Sequence, residues 1–294
     1  MSAPGAAPAH LARDARRIKV AAERVAAALA AGGYRSAFRG QGVEFDEVRE
    51  YHDGDDVRTI DWNVTSRLGG AASAAYSKVF REERELAILL LVDRSASMLA
   101  GSVEKRDLSV WVAAILALSA QFSDDRIGAC LFSDRIESWV APARGRTRVL
   151  RLVNDLLHAR PAGRGSDLAL ALRTVAANLQ RRSVCIILSD FKTDGYRHEL
   201  RAAARAHDVI AVRIAEPLDR ALPAGAAVEL VDPETGLRRF GVADEYRRFW
   251  DRHVQAWRTH CREAGVEVLE IGTGEDAGAS LARFFAARRR RRAA

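Results

Sequence analysis

Leu86-Ala87-Ile88-Leu89-Leu90-Leu91-Val92 runs directly into Asp93-Arg94-Ser95-Ala96-Ser97. An apolar run this short, closed by a polar turn, reads as a β-strand buried on both faces. Working outward, residues 107–122 read as a helix that is apolar nearly all round and therefore buried. Residues 127–132 read as a strand that 136–140 can pair with across Ser133-Asp134-Arg135. Helical spacing follows over 147–158 and 167–180, around 196–206 and 244–264, and over 278–287. Apolar runs at 184–188, 209–214 and 266–271 supply further strands. Strands alternating with helices of this length predict βαβ units. The fold class is then α/β, with a doubly wound, mostly parallel sheet covered on both faces and spanning residues 86–287.

Upstream, residues 11–31 read as an amphipathic helix, with Leu11, Ile18, Val25 and Leu29 at helical spacing and Gly32-Gly33 as its stop. Residues 34–85 lose all periodicity and are too many for an ordinary loop. They either hold a small fold of their own or wrap the domain that follows. Residues 1–85 thus make an N-terminal helical and irregular extension. Its Asp53-Gly54-Asp55-Asp56 is not an EF-hand, because the twelfth position counted from Asp53 is Val64, where that loop needs glutamate. A structural role is expected instead, with Arg49, Arg58 and Arg67 as ion-pair partners and Trp62 as a packing anchor. A contact surface for a partner is the alternative.

The chain has 294 residues, 48% hydrophobic and 29% charged, which excludes wholesale disorder and allows a sizeable core. Its longest apolar stretch, 110–120, is about half of the roughly 20 residues a bilayer span needs. The first residues lack a basic-then-apolar signal, so a cytoplasmic location is expected. Taking the arginine run 288–292 away from a net charge of +7 leaves only +2. Nucleic-acid binding is therefore disfavoured, and 288–294 reads as a solvated basic tail. Cys130, Cys185 and Cys261 lie far apart and form no CxxC or Cys/His cluster, which fits a reducing compartment and argues against structural zinc. No HExxH occurs, and His253 and His260 read as helix-surface residues.

The residues after the strands carry the chemistry. Asp93 is the first polar residue beyond its strand, and Asp190 follows the run at 184–188, separated from it only by Ser189. In an open parallel sheet such positions share one edge, where ligand sites form. Ser166-Asp167, preceded by Gly163-Arg164-Gly165, opens a helix and can project into the same crevice. Singly, these residues have plainer explanations: Ser166 as an N-cap, Ser95 and Ser97 as turn caps, Asp190 as a loop orienter. Together they form an oxygen-only set of two or three carboxylates and three hydroxyls. Such a set suits a hard cation, Mg²⁺ first, with Mn²⁺ or Ca²⁺ as alternatives. Hydroxyl ligands leave the ion's charge poorly neutralised, so a further anionic oxygen, including one from another protein, is bound readily.

DRSASM after a buried strand, GSDLALAL before a helix and IILSDF after a later strand resemble the metal-ion-dependent adhesion site (MIDAS) of von Willebrand factor A domains. The likeness implies a von Willebrand factor A-like, Rossmann-type domain. It matches Asp93, Ser95 and Ser97 to the first metal loop, Ser166 to the second and Asp190 to the third. The second loop usually offers threonine, and serine keeps its hydroxyl. The third commonly reads Thr-Asp-Gly and here is Ser189-Asp190-Phe191. GQGVEFDEVREYHDGDDVRTIDWNVTSR, followed by KVFREERE, further resembles the bacterial family called domain of unknown function 58. That resemblance implies an adaptor or chaperone-like partner of a MoxR-type AAA+ ATPase, binding an acidic residue through the cation. A metal-dependent hydrolase or phosphoryl-transfer enzyme is the alternative. Against it stand the missing GxSxG and GxxxxGK[ST] motifs and the lack of a histidine close in sequence to any of the three loops. No catalytic residue is expected.

Overall fold

The computed structural model describes residues 15–31, 37–38, 43–52, 55, 57, 60–62, 64–65, 75–82, 86–99, 105–160, 162–216 and 225–293. Helix α1 (Ala15–Ala31) is followed by β1 (Val43–Glu50), β2 (Tyr76–Glu82) and β3 (Ala87–Asp93). A 3₁₀ turn, Ala96–Leu99, precedes α2 (Lys105–Phe122), β4 (Arg126–Phe132), β5 (Ile136–Ala143), α3 (Arg146–His158) and α4 (Leu168–Asn178). Then come β6 (Val184–Ser189), α5 (Arg197–Ala206), β7 (Asp208–Ala215), β8 (Ala227–Val231), β9 (Arg238–Val242), α6 (Ala243–Ala264), β10 (Glu267–Gly272) and α7 (Ala277–Ala293).

The main sheet has six strands in the order β10-β7-β6-β3-β4-β5. All neighbours are parallel except β5, which runs antiparallel to β4 at one edge. The α/β, mostly parallel reading of the sequence therefore holds, including the pairing across Ser133-Asp134-Arg135. From β3 the chain moves to β4 on one side and later to β6 on the other, so the order reverses at β3. A doubly wound sheet opens its crevice at the carboxyl ends of the strands beside such a reversal.

Alternation along β3 supplies both layers of the core. Ile88, Leu90 and Val92 pack with α1, α2, α3 and α7, whereas Leu89 and Leu91 pack with α4, α5 and α6. The central helix α2 is buried along most of its length, as its unbroken apolar composition requires. Gly128 in β4 lies where β5 crosses closely: a Cβ there would stand 2.3 Å from the Val140 carbonyl oxygen, at a shift in the pairing register.

Two expectations about the domain limits need correction. The chain does not divide at residue 85. One compact unit comprises Met1–Phe38 with Leu86–Ala294, and the other is Arg39–Glu85. Helix α1 belongs with the sheet because Ala22, Ala26 and Leu29 enter the same apolar cluster as α2. Nor do the arginines 288–292 of the expected 288–294 tail stand free in solvent. Helix α7 continues through the arginines to Ala293, and Arg288 is 0% exposed. Its guanidinium pairs with Asp208 and with Glu267 (3.0 Å), and its Nε donates to the Ala37 carbonyl at 3.1 Å. Arg291 pairs with Glu267, and Arg292 with Asp208. Arginine is a good helix former, and cations at a helix carboxyl end complement its dipole, so the run extends the helix instead of fraying it.

In the unit Arg39–Glu85, β1 and β2 pair antiparallel with a bulge between Phe45 and Glu47. Arg49 holds Asp55 at 2.7 Å, as expected of that arginine. Trp62 is 69% exposed and is not a packing anchor. Arg58, Arg67 and the Asp53-Gly54 pair lie outside the described residues, as do positions 11–14 of the expected first helix.

Candidate metal centre

Asp93 closes β3 at the reversal point and is fully buried. Its Oδ1 accepts the Ser95 amide at 2.9 Å, and its Oδ2 accepts the hydroxyls of Ser166 (3.0 Å) and Ser189 (2.6 Å). The 3₁₀ turn folds Ser97 back, so that the Ser95 and Ser97 hydroxyl oxygens lie 3.0 Å apart. Ser97 also donates to Asp190 Oδ1, at 3.4 Å. Asp93, Ser95, Ser97, Ser166 and Asp190 thus form one connected, buried or half-buried oxygen group.

The second loop is shaped by acids from the β4–β5 turn. Glu137 accepts the amides of Ala162 (3.0 Å) and Gly163 (2.8 Å) and the Ser133 hydroxyl (2.5 Å). Asp134 accepts the amides of Arg164 (3.3 Å) and Gly165 (3.4 Å). A Cβ at Gly163 would stand 2.1 Å from Asp134 Oδ1 and 2.2 Å from Ser133 Oγ, so a larger residue there would displace the acids that shape this loop. The Ala96 amide donates to the Arg164 carbonyl (2.8 Å) and the Thr193 hydroxyl to the Ser166 carbonyl (2.7 Å), tying the three loops together. Asp167, not Ser166, caps α4, by accepting the Leu170 amide at 2.7 Å. Capping thus removes Asp167 from the oxygen group and leaves the Ser166 hydroxyl to Asp93.

In the third loop Phe191 stands at φ +56°, the left-handed region where glycine is at ease and a bulky residue is strained. Three contacts hold it there. Its ring is buried against Trp257 (5.2 Å between centroids) and Tyr196 (6.3 Å). Its amide donates to the Ser189 hydroxyl at 2.9 Å. Its carbonyl accepts from His253 Nε2 at 2.6 Å. His253 therefore supports the third loop through the Phe191 carbonyl. Beyond it, Lys192 lies 4.1 Å over the Trp250 ring, whose neighbour Phe249 is exposed.

The electrostatics show how charge is balanced. Burial, then the charge of Asp190, raises the Asp93 carboxyl above the usual range, against the pull of the Ser189 and Ser95 hydroxyls. Burial also opposes ionisation of Asp190, but the Lys105 ammonium, then that of Lys192, brings its carboxyl below the usual value. Lys105 is 1% exposed, with Nζ 2.5 Å from Asp190 Oδ2. A third carboxyl stands beside these two. Burial, followed by the charges of Asp93, Asp190 and Asp232, pushes Glu234 up to about 7, and the Ser97 hydroxyl offsets part of this.

This donor set fits a hard divalent cation. It offers oxygen only, from carboxylates and hydroxyls. Among the described residues no group of three or more His, Cys, Asp or Glu side chains gathers as a metal cluster, in keeping with a set in which hydroxyls outnumber carboxylates. Sequence reading misses Lys105, Ser189, Glu137 and Glu234. Only Ser189 carries a signal, as the residue next to Asp190 at its strand end; the others depend on tertiary approach.

Comparisons with known proteins place this chain in a lineage. It is 34% identical over 270 residues to the uncharacterized protein Rv1480 of Mycobacterium tuberculosis, covering 88% of this chain and 84% of that protein. Among solved structures it is similar to the conserved hypothetical protein BatB from Bacteroides thetaiotaomicron, with 11% identity, 70% of this chain and 99% of that one covered, and a TM-score of 0.47. It is also similar to proximal thread matrix protein 1 from the mussel byssus with a zinc-occupied MIDAS motif, with 18% identity, 44% and 38% covered, and a TM-score of 0.37. No helix among the described residues is long and apolar enough to cross a membrane. Residues 47–261 match the family described as protein of unknown function DUF58, and the chain belongs to that family.

Proposed function

We propose that this protein is a divalent-cation-dependent protein-binding module, in which Asp93, Ser95, Ser97, Ser166 and Asp190 hold Mg²⁺ and a partner's acidic side chain completes the site. The supporting observation is the connected oxygen group at the reversal point of the sheet, whose two carboxylates are linked through Ser95 and Ser97. Lys105 already neutralises Asp190, so a bound ion would retain much of its charge and attract an external carboxylate. When bound, the cation supplies an electrophilic anchor; the protein's side chains fix its position. The resemblance of the three loops and the upstream segment to an adaptor family points to a MoxR-type AAA+ ATPase as the partner. Exposed Phe249, beside the third loop, adds apolar area of the kind an interface needs beyond one coordination bond.

Calorimetric titration with Mg²⁺ and Mn²⁺ should give about one site, abolished by Asp93→Ala; unchanged binding in that variant overturns the assignment. Capture of a MoxR-type ATPase from the native lysate should fail with chelator, recover with Mg²⁺, and fail with the Asp93→Ala protein. Metal-dependent turnover by the isolated chain, without any such capture, would favour the enzyme alternative.

A further inference from the structure

The β8–β9 hairpin forms a two-stranded sheet of its own, separate from the six-stranded one. Its tip is internally braced. Asp232 accepts the Glu234 amide (2.9 Å) and the Thr235 hydroxyl (2.6 Å), the Gly236 amide donates to the Asp232 carbonyl (2.7 Å), and Gly236 adopts φ +73°. Glu234 is half-buried within a turn whose other residues are mostly exposed. The tip reaches the second metal loop: Arg164 donates to the Pro233 carbonyl at 3.1 Å, and Glu234 Oε2 lies 3.7 Å from where a Gly165 Cβ would stand. Glu234 Oε1 is buried with no hydrogen-bond partner. Among the described residues no lysine or arginine pairs with it, since the guanidinium of Arg164 is directed at Pro233 instead. A buried carboxylate oxygen without a donor, set against the second loop, is unfavourable unless a cation reaches it.

We propose that Glu234 is a carboxylate offered in cis to the metal centre, capping the ion so that an acidic partner must displace it. This rests on the cation reading above and adds to it a built-in competitor. Displacing the tip breaks no strand pairing of the main sheet and gives up the Arg164–Pro233 hydrogen bond. The resting protein is thereby self-capped, and binding requires the hairpin tip to lift. Glu234 would then set the threshold a partner's acid must exceed.

Mn²⁺ binding to the full chain, followed by the electron paramagnetic resonance signal of the free ion, tests this in wild type, Glu234→Gln and Asp93→Ala, with and without millimolar acetate as the probe for an acidic partner. Losing a ligand in Glu234→Gln should weaken Mn²⁺ by about tenfold, in 0.5 M KCl as well as in low salt. Acetate should recover part of that loss in the variant and leave wild type unchanged. Equal affinities for wild type and Glu234→Gln, acetate acting alike on both, or a difference that disappears in high salt as long-range charge effects do, would each overturn the cis ligand. In those cases abolition by Asp93→Ala leaves the metal centre standing. Unchanged binding in Asp93→Ala overturns the centre and the cap with it.

Discussion

Lys105 shows how much of the site depends on residues that carry no motif. A lysine opening a helix reads as a surface charge, yet here its ammonium is buried on Asp190. Removing one member of such a pair leaves the other charged and uncompensated. Lys105→Met should therefore cost about 3–5 kcal/mol in urea unfolding with chelator present. Mg²⁺ should restore more stability to this variant than to wild type, because the ion takes over the role of the ammonium. Equal Mg²⁺ stabilisation of both proteins would separate Lys105 from the metal centre. At this scale the sequence yields Asp93, Ser95, Ser97, Ser166 and Asp190, because all five lie within a few residues of a strand or helix end. It conceals Glu137 and Glu234, whose positions depend on how distant turns approach. Phe191 is visible only as a departure from the usual glycine; the structure adds that its backbone takes the glycine-like conformation and that buried aromatic packing holds it there.

Among the elements, the buried strands of the main sheet are legible as apolar runs and the long helices as 3.6-residue patterns. The small hairpins are not. In β1 the bulge after Phe45 interrupts the alternation, so Val43, Phe45 and Val48 do not share a parity. In β9, charged residues dilute the signal. The arginine run misleads for a different reason: composition marks charge but not its partners, and Asp208 and Glu267 stand at the starts of β7 and β10, far away in sequence. Arg288→Ala should lower stability by about 2–3 kcal/mol, less than a wholly buried pair because both carboxylates keep some solvent contact. Arg291→Ala, on the exposed pair with Glu267, should cost under about 1 kcal/mol. Chemical denaturation of the two variants checks the contrast; equal small losses would return the run to the status of a tail.

For the molecule as a whole, Cys130, Cys185 and Cys261 are free thiols in one apolar layer, and burial pushes each of them up to about 12. None should react with Ellman's reagent at pH 8 in the native state, and on approaching the unfolding transition all three should react at the common rate of global opening. One thiol reacting ahead of the others would reveal a locally loose edge. The discontinuous division of the chain has a consequence for how this molecule can change over time. Helix α1 meets α2 across the whole of Arg39–Glu85, so the inserted unit is a closed excursion from a domain completed on either side of it. The entropy of closing such an excursion grows only with the logarithm of its length, about 0.6 kcal/mol per doubling. A change in the length of that segment therefore alters the closure entropy of the host domain only slightly.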